Sequence, residues 1–130
     1  MLTIKYLSLP GRFNNNFMHE LSIVMSIVDI AENETAKAEA TSVTAITLEI
    51  GTLSGIVMEA LEFAWQSAIK GTVLENAELK IHTIEGVAKC RDCGEEFNAQ
   101  TLYQECPQCN GYFTDIIKGK EMRVMELTVE

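Results

Sequence analysis

Several features are scarce in this chain of 130 residues, and each scarcity excludes something. Basic residues are few: 10 Lys and Arg stand against 19 Asp and Glu, a formal net charge of −9. A nucleic-acid binder needs a basic stripe to displace counterions from phosphates, so that class is disfavoured. No apolar run approaches the roughly 20 residues of a membrane span. The opening residues, MLTIKYLSLPGRFNNNF, hold no sustained apolar core and no small-residue cleavage site, so no secretory leader is expected and the cytoplasm is the expected compartment. Histidine occurs only at His19 and His82. No nucleophile–base pairing and no phosphate-cradling glycine loop is found, and an enzyme is not expected.

What is present is a globular core, with 47% apolar residues, enough for one domain and a small satellite. Residues 1–17 differ from the rest: Pro10-Gly11 is a breaker pair and Asn14, Asn15 and Asn16 run together. They are read as disordered or as a non-native N-terminal extension, with Met18 as the alternative start. From Glu20 to about Ala40 the pattern is helical, with Leu21, Val24, Met25, Val28 and Ala31 as its apolar stripe, widened by Ile23, Ile27 and Ile30. Val43–Ile50 alternates as a half-buried strand, with Ile46, Leu48 and Ile50 on one face. A second helix is expected over Val57–Lys70, with Gly71 at its end. Leu79–Thr83 and Met122–Val129 read as two further strands, the last with Met125, Leu127 and Val129 on one face. The fold class is therefore α+β: two helices packed on a three-stranded sheet, strand order open. The domain expected from residues 18–85 and 120–130 is interrupted by a cysteine-rich module at 86–119.

That module holds all four cysteines, as Cys90-Arg-Asp-Cys93 and Cys106-Pro-Gln-Cys109. Each C-x-x-C turn sets two thiolates on one side of a tight loop, and two such turns supply the corners of a tetrahedron. Gly94 and Asn110-Gly111 follow the second cysteine of each pair, where a positive φ is tolerated. A structural Zn(II) is the favoured occupant. Four thiolates close its shell and leave no position for water or substrate. Rubredoxin-like iron or an iron–sulfur cluster uses the same donors and remains the alternative. The module is too short for an apolar core of its own, so the metal is expected to supply its folding energy.

Met18-His19-Glu20 opens the first helix. Taken alone, His19 reads as an ordinary helix-start residue. If Met18 is the terminus, its α-amine, backbone amide nitrogens and the His19 imidazole form a nitrogen-rich, near-planar donor set suited to Ni(II) or Cu(II). Leu21-Ser22-Ile23, Ile50-Gly51-Thr52-Leu53-Ser54-Gly55, Glu59-Ala60-Leu61-Glu62-Phe63, Lys70-Gly71-Thr72 and the two C-x-x-C pairs follow in order. In these motifs, from Met18 to Glu130, the chain resembles the HypA/HybF nickel metallochaperones of hydrogenase maturation. The resemblance implies Ni(II) as transient cargo at Met18, His19 and Glu20, zinc at Cys90, Cys93, Cys106 and Cys109, and delivery to the large-subunit precursor of [NiFe]-hydrogenase. It also implies work with a HypB-type nickel GTPase and, in some organisms, with urease maturation proteins; a homodimer is left open. Two departures stand out: the family motif begins at the chain terminus, whereas seventeen residues precede Met18 here, and Thr52 and Met58 stand where an acidic residue and a proline are common. The alternative reading is a zinc-ribbon protein-interaction adaptor with no nickel role.

Overall fold

The computed structural model describes residues 1–8 and 20–130. These form, in chain order, β1 (Leu2–Ser8), α1 (Glu20–Lys37), β2 (Val43–Gly51), α2 (Met58–Ala68), β3 (Glu78–Ile84), β4 (Val87–Cys90), β5 (Glu96–Asn98), β6 (Thr114–Lys118) and β7 (Met122–Val129). They make two sheets, ordered β1-β7-β2-β3 and β5-β4-β6. The architecture is α+β, as expected, and no described helix is long and apolar enough to cross a membrane.

Parallel strands require a crossover, and α2 supplies it between β2 and β3. Both helices cover one face of the larger sheet. Ile23, Val24, Ile27 and Ala31 of α1 and Leu61, Ala64 and Trp65 of α2 close over Ile46, Leu48, Ile50, Val124, Leu127 and Val129. The α1 stripe differs from the expected one: Leu21 is 49% and Met25 57% exposed, while Ile23, Ile27, Ala31 and Thr35 line the buried face at steps of four. Thr35 is buried there because its hydroxyl donates to the Ala31 carbonyl at 2.6 Å. In β7 the expected pairing of Met125 with Leu127 also fails. The register against β2 shifts between Thr47 and Leu48, so Val124 takes the core side with Leu127 and Val129.

The larger sheet has four strands, where three were expected. The extra strand is β1, from a stretch expected to be disordered or non-native. For residues 2–8 the expectation of disorder is corrected: they pair antiparallel with β7, from Leu2 opposite Val129 to Ser8 opposite Arg123. Ile4 and Leu7 both pack on the core, although an odd number of steps separates them, because Tyr6 at φ 55° breaks the alternation. The remainder of that stretch, and with it Met18 and His19, lies outside the described residues.

The smaller sheet lies within the stretch expected to be the cysteine-rich module, and it hangs from two crossing strands of chain. At the crossing Leu53 N–H donates to the Gly119 carbonyl at 2.7 Å, Gly51 N–H to Glu121 at 2.8 Å, and Gly86 N–H to the Thr52 hydroxyl at 3.0 Å. Gly51 runs so close to the Gly119 carbonyl that any Cβ there would collide with it. Contrary to expectation, the module does have a small apolar core. Ala88, Cys90, Phe97, Ala99 and Cys106 bury it, and Leu53 enters from the β2–α2 loop.

Candidate metal centre

The two C-x-x-C turns are built alike. In the first, Gly94 N–H returns to the Cys90 carbonyl at 3.0 Å, and Cys90 N–H donates to Glu95 at 2.9 Å. In the second, Asn110 N–H returns to the Cys106 carbonyl and Cys106 N–H donates to Gly111, both at 2.8 Å. Gly94 and Asn110 occupy equivalent positions at φ 78° and 61°, the conformation their residue types were expected to supply. At Gly111 a Cβ would sit 2.8 Å from the Asp92 carboxylate, which would have to swing aside. From within the first turn, Arg91 grips Asp115 with two hydrogen bonds of 2.8 Å, and Arg91 N–H donates to Phe113 at 2.7 Å. This ties the first turn to the approach of β6.

The turns face each other. Their four Sγ atoms lie within 4.8 Å of one another, with Cys90–Cys109 and Cys93–Cys106 both 3.6 Å apart. These are not disulfides, whose sulfurs lie at about 2.05 Å. A metal–sulfur bond of about 2.3 Å in a tetrahedron sets sulfur–sulfur edges of about 3.8 Å. The observed spacing fits that cage. Cys90 and Cys106 are buried and Cys93 and Cys109 exposed, so the cage sits at the module's rim and each turn contributes one inner and one outer sulfur.

The thiols titrate unlike free cysteines. The Cys93 amide, opposed by burial and helped by the Asp92 amide and the Cys109 and Cys93 sulfurs, draws Cys90 down to about 7. The Glu95 amide favours a Cys93 thiolate, yet burial and the sulfurs of Cys106, Cys109 and Cys90 push that thiol up to about 12. At Cys109 the Gly111 amide likewise favours the thiolate, and Cys90 with burial overrides it upward. Four negative sulfurs this close repel one another, and a divalent cation is the group that removes the repulsion.

The second expected site is only partly within the described residues. Glu20 opens α1, half-buried, beside a recess lined by Leu21, Ala60, Phe63, Ala64 and Ser67. The 18 residues of α1 span about 27 Å. Just beyond its far end, Thr41 and Ser42 bond Glu130, where β7 finishes and β2 begins. Helix α1 therefore runs back along the sheet, and Glu20 lies toward the end from which the cysteine module hangs. Among the described residues only the four cysteines form a metal-ligand cluster, and Glu20 is not part of it. His82 is exposed on β3.

One arrangement escaped sequence reasoning. Glu49, expected on the polar face of β2, is 7% exposed. Arg123 covers it from the neighbouring strand, donating from Nε at 2.8 Å and from Nη2 at 3.1 Å. The Arg123 hydrogen bonds, against a cost of burial, hold the Glu49 carboxyl below its usual range. Arg123 also lies over the Tyr6 ring, 5.8 Å from its centroid. The hint in the sequence is a glutamate in β2 and an arginine in β7, each set among apolar residues.

Comparison with known proteins places this geometry. A family model described as hydrogenase/urease nickel incorporation, metallochaperone, HypA, matches residues 18–129. Hydrogenase maturation factor HypA of Parabacteroides distasonis is 45% identical over 113 residues, 87% of this chain and 98% of that one. The factor of the same name from Geotalea uraniireducens is 43% identical over 113 residues, 87% of this chain and 100% of its own. Among solved structures, the solution structure of the Ni metallochaperone HypA from Helicobacter pylori superposes with a TM-score of 0.63 at 27% identity, covering 86% of this chain and 97% of that one. The chain belongs to the HypA family of metallochaperones for hydrogenase maturation.

Proposed function

We propose that the protein binds Ni(II) through Met18, His19 and Glu20 and delivers it during [NiFe]-hydrogenase maturation in the cytoplasm, while Cys90, Cys93, Cys106 and Cys109 hold a structural Zn(II). The observation that carries the reading is the family match that starts at Met18 and runs through both C-x-x-C pairs. The four-thiolate cage supports the zinc assignment: sulfur donors at tetrahedral spacing suit zinc, and a closed shell suits structure rather than exchange. Cargo must be released, and a site at the start of a helix is better placed for that than a cage. A HypB-type GTPase and the hydrogenase large-subunit precursor are the proposed partners, with urease maturation proteins as a further destination.

The test is His19→Ala. Calorimetry should show nickel binding abolished, with one zinc per chain retained by elemental analysis; unaltered nickel affinity overturns the assignment. An imidazole ligand must be neutral, so nickel affinity should also fall as pH drops through about 6.5. Exposed Tyr103, Tyr112 and Phe113 around a recess that also includes Arg91 and Lys120 favour a second role for the module in docking a protein partner. A pure adaptor predicts no stoichiometric nickel binding and no rescue of hydrogenase maturation by excess nickel in a deletion strain.

A further inference from the structure

The family match begins at residue 18, and the 113 matched residues account for the whole of the Geotalea uraniireducens factor. Strand β1 therefore comes from outside the shared fold. It nevertheless occupies the outer edge of β7 over six paired positions, and it lays Ile4 and Leu7 against the core. Without it, β7 would present a row of unpaired N–H and C=O groups, the template on which another strand adds. The core beside that edge would lose cover as well: Val124, Leu127 and Val129, now 0–1% exposed, sit directly across from Leu7, Ile4 and Leu2. The opposite edge, β3, is guarded differently, with exposed Glu78, Lys80 and His82 along it.

We propose that the β7 edge is a strand-docking surface, filled from within by residues 2–8 and, when those residues are absent or displaced, by β7 of a second copy of this chain. The charge pattern of β7 is self-complementary for that pairing. Arg123 and Glu126 share the face away from the helices, where Arg123 pairs with Glu49 and Glu126 stands across from Thr47 and Lys5. An antiparallel two-fold copy that sets Arg123 opposite Glu126 does so twice, and the same register sets Met122 opposite Leu127 on the core side. Arg123 holds Glu49 through Nε and Nη2, and Nη1 makes no hydrogen bond among the described residues. Lys5 opposite Glu126 in the present pairing is the intramolecular version of the same charge match. The strand thus acts as a built-in competitor of self-association, and the start of the chain, Met1 or Met18, sets the oligomeric state.

The test compares three proteins by sedimentation equilibrium over a wide concentration range: the full chain, the full chain carrying Ile4→Asp and Leu7→Asp, and a chain beginning at Met18. The full chain should have the mass of one copy, and the other two the mass of two. Adding Glu126→Arg to the Met18 chain, which sets two cations opposite each other, should return it to one copy with an unchanged circular dichroism spectrum. A synthetic peptide of residues 1–9 should do the same in excess. A Met18 chain that stays single throughout the range overturns the proposal. So does a full chain that is already dimeric, or a Met18 dimer indifferent to both Glu126→Arg and the peptide.

Discussion

Glu49 and Arg123 show how a single charged residue can be settled by its neighbour across a strand. A carboxylate at 7% exposure is tolerable only with its oxygens satisfied, and Arg123 meets both. Arg123→Ala leaves Glu49 without that partner, and we expect a loss of about 1 kcal/mol, moderated because the guanidinium itself is 41% exposed. Urea titration checks the size. The pH dependence has a definite sign. The Glu49 carboxyl titrates below its value in the unfolded chain, so the pair's contribution is complete above that unfolded value and disappears as pH falls through the lower, folded one. Acid titrations of wild type and Arg123→Ala should therefore converge at the acid end and separate above about pH 4.5. None of this was legible beforehand, because the period-two pattern of β2 placed Glu49 on the polar face and nothing in one sequence says which residue lies across from it. The cysteines were the opposite case. Their spacing already contained the geometry of the turns, and the residues after each pair declared the positive φ that Gly94 and Asn110 adopt.

At the level of elements, local period found every helix and strand of the larger domain, to within a few residues, from Glu20 onward. It failed where one element's fate was decided by another. Leu21 and Met25 fit an apolar stripe in isolation, but α2 and the sheet together meet the face that carries Ile23, Ile27 and Ala31. Strand β1 was missed because a segment ending in Pro10-Gly11 and three asparagines reads as unstructured, while its pairing depends on β7 more than a hundred residues later. The β2–α2 loop carries the most testable case. Leu53 is 8% exposed, belongs to the domain by sequence, and is packed in the module's core. Leu53→Ala should cost about 2–3 kcal/mol, and the loss should register in both parts, since the cavity opens at their junction. Hydrogen exchange should quicken at Ala88 and Phe97 as well as at Gly51 and Thr52. Faster exchange confined to the loop would show that Leu53 does not couple the two.

On the scale of the whole molecule, the insertion of the cysteine module between β3 and β7 is the organising fact. The parallel β2–β3 pair and the strand order could not be derived from one sequence; the smaller sheet, β4 to β6, lies in the stretch where periodicity lapses, between Gly86 and Met122. The larger domain has its own core, drawn from both helices and from all four strands of its sheet. The module has six buried residues, two of which are metal-ligand candidates and one of which, Leu53, is borrowed. Removing the metal removes the four metal–sulfur bonds that join the two turns and leaves thiols around a core too small to compensate. A strong chelator should therefore collapse the amide dispersion of residues 87–118 while α1, α2 and the larger sheet keep theirs. The boundary should not fall cleanly at Gly86. Gly51, Thr52 and Leu53 bond Glu121, Ile84 and Gly119, and Leu53 loses its pocket when the module melts. Their resonances should shift with those of the module, while Ile46 and Leu127, deep in the larger core, stay put. If residues 87–118 remain dispersed in metal-free protein, the thiolate cage is not what folds the module. If Leu53 is unmoved while they collapse, the junction is a hinge and not a shared core.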